Sequence, residues 1–113
     1  MKGDKVIMTK IKICGLFREC DIEYANRLLP DYIGFVFFSK SRRHVSAQRA
    51  KELKKALDKG IKTVGVFVNE SPEFICKLYD DGVIDFAQLH GAEDNTYIKN
   101  LRSFCAVPII KAF

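Results

Sequence analysis

No stretch of this chain is long and apolar enough to span a membrane, which takes ~18–20 apolar residues. The opening segment Met1-Lys2-Gly3-Asp4-Lys5-Val6-Ile7-Met8 is also too short in apolar residues for a secretory signal. With nothing pointing to secretion, Cys14, Cys20, Cys76 and Cys105 are expected as reduced thiols in a cytoplasmic protein. No two of them stand at C-x-x-C spacing, which removes the usual zinc and thioredoxin-like readings. Only two histidines are present, and His90 has no second histidine or cysteine at ligand spacing, so no metal site is expected. The chain lacks a charged block: 19 basic and 14 acidic residues give a net charge of +5, with acidic residues spread throughout. That distribution argues against a polyanion-binding tail. No linker or low-complexity tract divides the 113 residues, so they are read as one domain around one core. Met8 stands directly before the first patterned segment, and residues 1–8 are read as a leader or non-native extension.

What is present is an alternation of short β-rich runs and helical patterns. Residues 11–14 read as a first strand, followed by an apolar helical stripe of Ile22, Ala25, Leu28 and Leu29 that Pro30 stops. Residues 32–38 form an unbroken apolar second strand. Ser46 is the expected cap of a helix striped by Ala50, Leu53, Ala56 and Leu57, closed by Gly60. Residues 63–68 read as the third strand, and Ser71-Pro72-Glu73 opens the third helix, which Gly82 ends. A strand over 84–89, a helix over 93–104 and a strand over 107–113 complete the series. Strands apolar on both faces and joined by single helices predict an α/β fold with a parallel sheet. Periodicity does not decide between a barrel and a doubly wound sheet. The chain ends inside an apolar strand, and a truncation is the expected reason, since a terminal strand without a covering helix leaves an open edge.

In parallel α/β folds the chemistry gathers at the C-terminal ends of the strands. Those ends read Cys14-Gly15, then Ser39-Lys40-Ser41-Arg42-Arg43, then Asn69, then Gln88-Leu89-His90-Gly91. A cysteine acts as a general base only as its thiolate, and cations such as Lys12 or Arg43 would favour that form at Cys14. The bland alternative is a small, inert apolar cysteine, and it is preferred for Cys20, Cys76 and Cys105. Arg42 and Arg43 offer a planar fork suited to carboxylate or phosphate; the alternative is a solvated basic loop. Lys12 shares strand parity with Cys14 and so points into the same interior, where it needs a partner, as a site residue or half of an ion pair.

Gly34-Phe35-Val36-Phe37-Phe38 also matches the tail of the RNA-recognition signature. That signature belongs on a later strand and displays exposed aromatics. Here it lies on the second strand, and the βαβα repetition continues past it. No nucleic-acid partner is expected, and no membrane.

Taken in order, five segments resemble the phosphoribosylanthranilate isomerase family. They are Lys12-Ile13-Cys14-Gly15-Leu16; Gly34-Phe35-Val36-Phe37 continuing into Lys40-Ser41-Arg42-Arg43-His44-Val45-Ser46; Val64-Gly65-Val66-Phe67-Val68-Asn69; Gln88-Leu89-His90-Gly91; and Ile110-Lys111-Ala112-Phe113. The resemblance implies a parallel (β/α) barrel of the TIM type, with residues 9–113 as its N-terminal half, the (βα)4β5 portion. It implies a cofactor-free and metal-free Amadori rearrangement of N-(5′-phosphoribosyl)anthranilate in tryptophan biosynthesis, an aldose–ketose isomerisation. On that pattern Cys14 is the general base that takes the C2′ proton, Arg43 binds the anthranilate end of the substrate, and His90 has a supporting role at the substrate.

The same resemblance puts the general acid, an aspartate on the sixth strand, and the phosphate-binding loops after the seventh and eighth strands beyond this chain. Neither Asp85 nor Asp94 matches the acid's position. The fragment alone is therefore expected to be inactive and to self-associate or belong to a longer chain. Ile11 or Ile13, Phe35 or Phe37, Val66 and Ile110 are the side chains expected to lose cover. The alternative reading is a non-catalytic half-barrel used for assembly or binding.

Overall fold

The computed structural model describes residues 12–111. The expected leader at residues 1–8, and the ends of the first and fifth strands at Ile11, Ala112 and Phe113, lie outside the described residues. Nine elements alternate: β1 (Lys12–Cys14), α1 (Glu19–Leu28), β2 (Tyr32–Val36), α2 (Ala47–Ala56), β3 (Lys62–Phe67), α3 (Pro72–Asp80), β4 (Phe86–Leu89), α4 (Asn95–Phe104) and β5 (Ile109–Lys111).

The helix boundaries follow local chemistry. Ser46 caps α2 by accepting from the Arg49 amide at 3.1 Å, and Ser71 caps α3 by accepting from the Phe74 amide at 3.3 Å, with Pro72 at the first turn. Helix α4 begins two residues later than its apolar pattern suggests, because Asp94 accepts from the Tyr97 amide at 2.9 Å and so takes the cap. Helix α1 ends with Leu29 at φ 50°, a left-handed turn made by a non-glycine residue just before Pro30. The second strand is shorter than its apolar run, since the chain leaves the ladder after Val36 to form the following loop.

All strands are parallel, and their order across the sheet is β1-β2-β3-β4-β5. Each new strand joins beyond the last, and the order never reverses. A doubly wound sheet has a reversal point; a barrel has none. The topology is that of a barrel wall.

The two faces of the wall carry different residues. Ile33, Phe35, Phe67, Ala87 and Leu89 face the helices and pack with Ile22, Leu53, Ile75 and Leu101, all at 0–2% exposure. Phe37 stacks on Phe67 with centroids 5.3 Å apart, and Phe74 meets both edge-on. Each such side chain, fully buried, contributes about 1.5–3 kcal/mol. The register aligns Cys14, Gly34, Val64, Val66, Gln88 and Ile110 on the opposite, inner face.

Two expectations are corrected here. Phe35 or Phe37 was expected to lose cover, but they are 0% and 5% exposed because they lie under the helices; Val66 is also buried, Ile13 is half-buried, and Ile110, at 39%, is open as expected. The reduced state expected of all four cysteines is not found either. Cys76 on α3 and Cys105 at the end of α4 are joined in a disulfide with Cα atoms 5.7 Å apart, while Cys14 and Cys20 are free and exposed. The packing of α3 against α4 brings the two sulfurs together across 29 residues of sequence.

Candidate active site

Strand β1 ends in a turn that depends on glycine. Gly15 has φ +84°, and its amide and that of Leu16 both donate to the Gly34 carbonyl, at 2.9 and 3.2 Å. The chain then enters α1 through Asp21, whose carboxylate accepts from the Phe17 and Arg18 amides at 3.1 and 3.0 Å and pairs with the Arg18 guanidinium at 2.8 Å. That guanidinium, ahead of the amides, holds the Asp21 carboxyl below the ordinary carboxylate range, against the opposing effect of burial.

This turn leaves Cys14 exposed at the rim of a cavity of about 460 Å³. It runs along the side of β1 and α1, where Ile13, Tyr24, Ala25 and Leu28 line it, up to the strand end, where Cys14, Gly15, Arg18, Arg42 and Arg43 do. Arg43 lies directly over Gly15: a side chain there would place its first carbon 2.6 Å from Arg43 Cδ and 3.1 Å from a guanidinium nitrogen. Thus the end of β1 and the loop after β2 bring a thiol and a guanidinium to one opening. That opening can hold an anionic group beside a proton acceptor.

Lys12 points inward as its parity requires, and its ammonium donates to the side-chain oxygen of Gln88 on β4. Its partner is a neutral amide rather than a carboxylate. His90 stands at the same end of the sheet, exposed, its amide donating to the Phe67 carbonyl at 2.8 Å. It does not line the cavity that Cys14 and Arg43 share.

The aspartates left aside on sequence grounds sit elsewhere. Asp94 caps α4. Asp85 lies at the opposite end of the sheet, where its carboxylate accepts from the Thr63 amide at 2.8 Å, the Thr63 hydroxyl at 3.2 Å and Lys54 at 3.2 Å. Burial pushes its carboxyl up, but the Thr63 amide and the Lys54 charge outweigh that and hold it below the ordinary range.

One residue of this end of the sheet escaped sequence reasoning. Glu93 is buried and accepts hydrogen bonds from the amides of Asn69 and Gly91. An acidic residue just before a helix cap reads as a solvated helix start, and nothing in the sequence announces its burial.

The family model of N-(5′-phosphoribosyl)anthranilate (PRA) isomerase matches residues 11–113. The chain belongs to this family. The PRA isomerase of Thermoanaerobacter sp. (strain X514) is 53% identical over 97 residues, which is 86% of this chain and 47% of that protein. The crystal structure of the PRA isomerase from Thermotoga maritima superposes with a TM-score of 0.81 at 33% identity, covering 92% of this chain and 50% of that one. A PRA isomerase solved in complex with reduced 1-(o-carboxyphenylamino)-1-deoxyribulose 5-phosphate also gives a TM-score of 0.81 at 33% identity, covering 92% of this chain and 53% of that one. The chain thus spans about half the length of the PRA isomerases it matches. The family fold, a (β/α) barrel, agrees with the strand order, and among the described residues no helix is long and apolar enough to cross a membrane.

Proposed function

We propose that this chain supplies the proton-abstracting side and the anthranilate-binding end of a PRA isomerase site. The observation that carries the reading is the shared opening of Cys14 and Arg43 at the C-terminal end of the barrel wall, in a chain of this family. The substrate is N-(5′-phosphoribosyl)anthranilate, a small phosphorylated molecule. Its ring opens to a Schiff base once a general acid protonates the ribose ring oxygen. The Cys14 thiolate then takes the C2′ proton, and the resulting enolamine tautomerises to the 1-deoxyribulose 5-phosphate product. Arg43 presents its fork to the anthranilate carboxylate, and His90 supports the substrate from the loop after β4. The acid and the phosphate-binding loops are supplied by the half of the barrel that this chain does not cover. Asp85 is no substitute, being tied to Lys54 and Thr63 at the far end of the wall. The setting is tryptophan biosynthesis in the cytoplasm, with no metal, cofactor, nucleic acid or membrane involved.

The test is to join this chain to the C-terminal half of the Thermoanaerobacter relative and measure PRA isomerase turnover. Turnover that disappears with Cys14→Ala supports the reading. A folded chimera without turnover, or one indifferent to Cys14, overturns it.

A further inference from the structure

Three neighbouring strands end on one carboxylate. The Glu93 side chain is 0% exposed, and its two oxygens are both engaged: one accepts from the Asn69 amide at 2.7 Å, the other from the Gly91 amide at 2.9 Å. Lys111 on β5 lies 3.7 Å from the second oxygen, and its ammonium donates to the Glu93 carbonyl at 2.8 Å and the Gly91 carbonyl at 3.4 Å. Asn69 follows β3, and Gly91 follows β4. The bond is returned on the other side, since the Ala92 amide donates to the Asn69 side-chain oxygen at 3.0 Å. A buried carboxylate is tolerated only when its lone pairs and charge are both answered, and here they are answered entirely by loop backbone and one lysine.

The loops bear the marks of this clamp. Asn69 has φ 52°, a left-handed conformation that asparagine tolerates better than most residues and that turns its amide onto the Glu93 carboxylate. A side chain at Gly91 would place its first carbon 2.9 Å from the Asn69 side-chain oxygen and 3.1 Å from the Asn69 nitrogen. The two loops therefore meet without slack, and Glu93 lies beneath their meeting point. His90 is the residue between buried Leu89 and clamped Gly91. His90 is exposed, and what the fold holds in place is its backbone, through the amide bonded to the Phe67 carbonyl and the neighbours on either side.

We infer that Glu93 is a positioning residue: its buried carboxylate locks the loops after β3 and β4 together and so fixes where His90 is presented at the mouth of the barrel. The loop-locking part stands on geometry alone, while its consequence for turnover rests on the reading that His90 meets substrate. Glu93→Gln keeps size and shape, but its amide can accept from only one of the two backbone N–H groups and leaves the other facing an NH2.

Two measurements test this. In the chain itself, residue-resolved amide exchange of Glu93→Gln should be at least about tenfold faster at Asn69 or Gly91, as expected when a local opening is freed. The Ala87 amide, bonded to the Pro108 carbonyl within the ladder, should be unchanged. Unchanged exchange at both loop amides overturns the proposal. Should Glu93→Gln not fold, Gly91→Ala pushes the same loops apart while leaving the carboxylate intact, and the same readout applies.

In the completed barrel, Glu93→Gln should raise KM by about tenfold with kcat little changed. In a His90→Ala background it should add less than about twofold, the non-additivity of residues acting through one another. Equal effects in both backgrounds overturn the proposal. If the unsubstituted barrel is folded but has no turnover, it is the reading of the site that fails, and amide exchange alone decides the role of Glu93.

Discussion

The Cys14 thiol occupies the space that a side chain at Gly34 would fill: a carbon attached there would lie 2.8 Å from the sulfur and 3.3 Å from the Cys14 backbone. The two residues are register partners on β1 and β2 and face the same interior. Glycine at 34 thus sets the place of the thiol, and Gly34→Ala should push it out of that place. The expected result is an altered rate of Cys14 alkylation, together with a loss of about 1–3 kcal/mol from overpacking. In a completed barrel, turnover should fall further than the drop in stability accounts for. Thermal unfolding and alkylation kinetics on the same protein separate the two effects, and a normal alkylation rate would remove Gly34 from any part in the site.

Thiol chemistry also distinguishes the four cysteines. Without reductant, denatured chain should take up two alkyl groups, at Cys14 and Cys20, and four after reduction, because Cys76 and Cys105 are bridged. In the folded chain Cys14, with Arg43 lying over the next residue, should react faster than Cys20 on the outside of α1. Cys14→Ala in the completed barrel should lower kcat by ~10²–10⁴, the usual contribution of a general base. Near-normal turnover would show that the base is another group.

Arg42 and Arg43 both line the cavity, and the atoms nearest to Gly15 are those of Arg43. Arg43→Ala should raise KM for the substrate, and Arg43→Lys should restore little, because a point charge lacks the planar fork. Arg42→Ala should be mild. The reverse pattern would mean that the loop after β2 presents its neighbouring arginine instead.

Most of the architecture was legible because each element carries its own signal. Ser46, Ser71 and Pro72 stand where the helices begin, and the β-rich runs stand where the strands lie. What periodicity could not give was the strand order, since a barrel and a doubly wound sheet share the same local pattern; the resemblance supplied the barrel. The catalytic candidates were visible as polar residues placed directly after apolar strands. Glu93 was not, because its role depends on Asn69 and Gly91, two loops brought together only by folding. The pairing of Cys76 with Cys105 was hidden for the same reason. The direction of Phe35 was misjudged because a run apolar on both faces does not say which face meets the helices.

Acid stability should draw on both ends of the sheet, on Asp21 at the Cys14 end and on Asp85 at the other. Asp85 is held below the ordinary carboxylate range in the folded chain, so its contribution is complete above the unfolded value of about 3.9 and is lost as pH falls through the folded one. Asp85→Asn should flatten the stability profile below about pH 5 and cost on the order of 1 kcal/mol at pH 7, a modest figure because the carboxylate is 36% exposed. Unfolding midpoints measured from pH 3 to 7 check both statements. An unchanged slope would show that Asp85 does not contribute to acid sensitivity.

As a separate polypeptide, the 113-residue chain should not persist as a monomer with isomerase activity. Strand β1 pairs only with β2, and β5 only with β4, among the described residues, so each has one unpaired edge. Helix α1 presents Leu28 at 67% exposure, with Tyr24 and the adjoining Leu29 each at 60%, beside the β1 edge. At the other end Phe104 is 54% and Ile110 39% exposed. Covering large apolar side chains contributes about 1.5–3 kcal/mol each. The five are 39–67% exposed, so roughly half of that remains to be gained from each, and the sum still reaches the lower part of the ~5–15 kcal/mol net stability of a whole domain. Pairing two copies edge to edge, or recruiting the other half of a barrel, would cover these groups. Sedimentation should therefore show a concentration-dependent dimer or larger species, which Leu28→Lys on α1 weakens, and no turnover of N-(5′-phosphoribosyl)anthranilate. Closing the wall with the C-terminal half of a relative should abolish the association. A chain that sediments as a stable monomer at tens of micromolar, and that turns over substrate, would contradict both the exposed-edge argument and the assignment of the general acid to the other half.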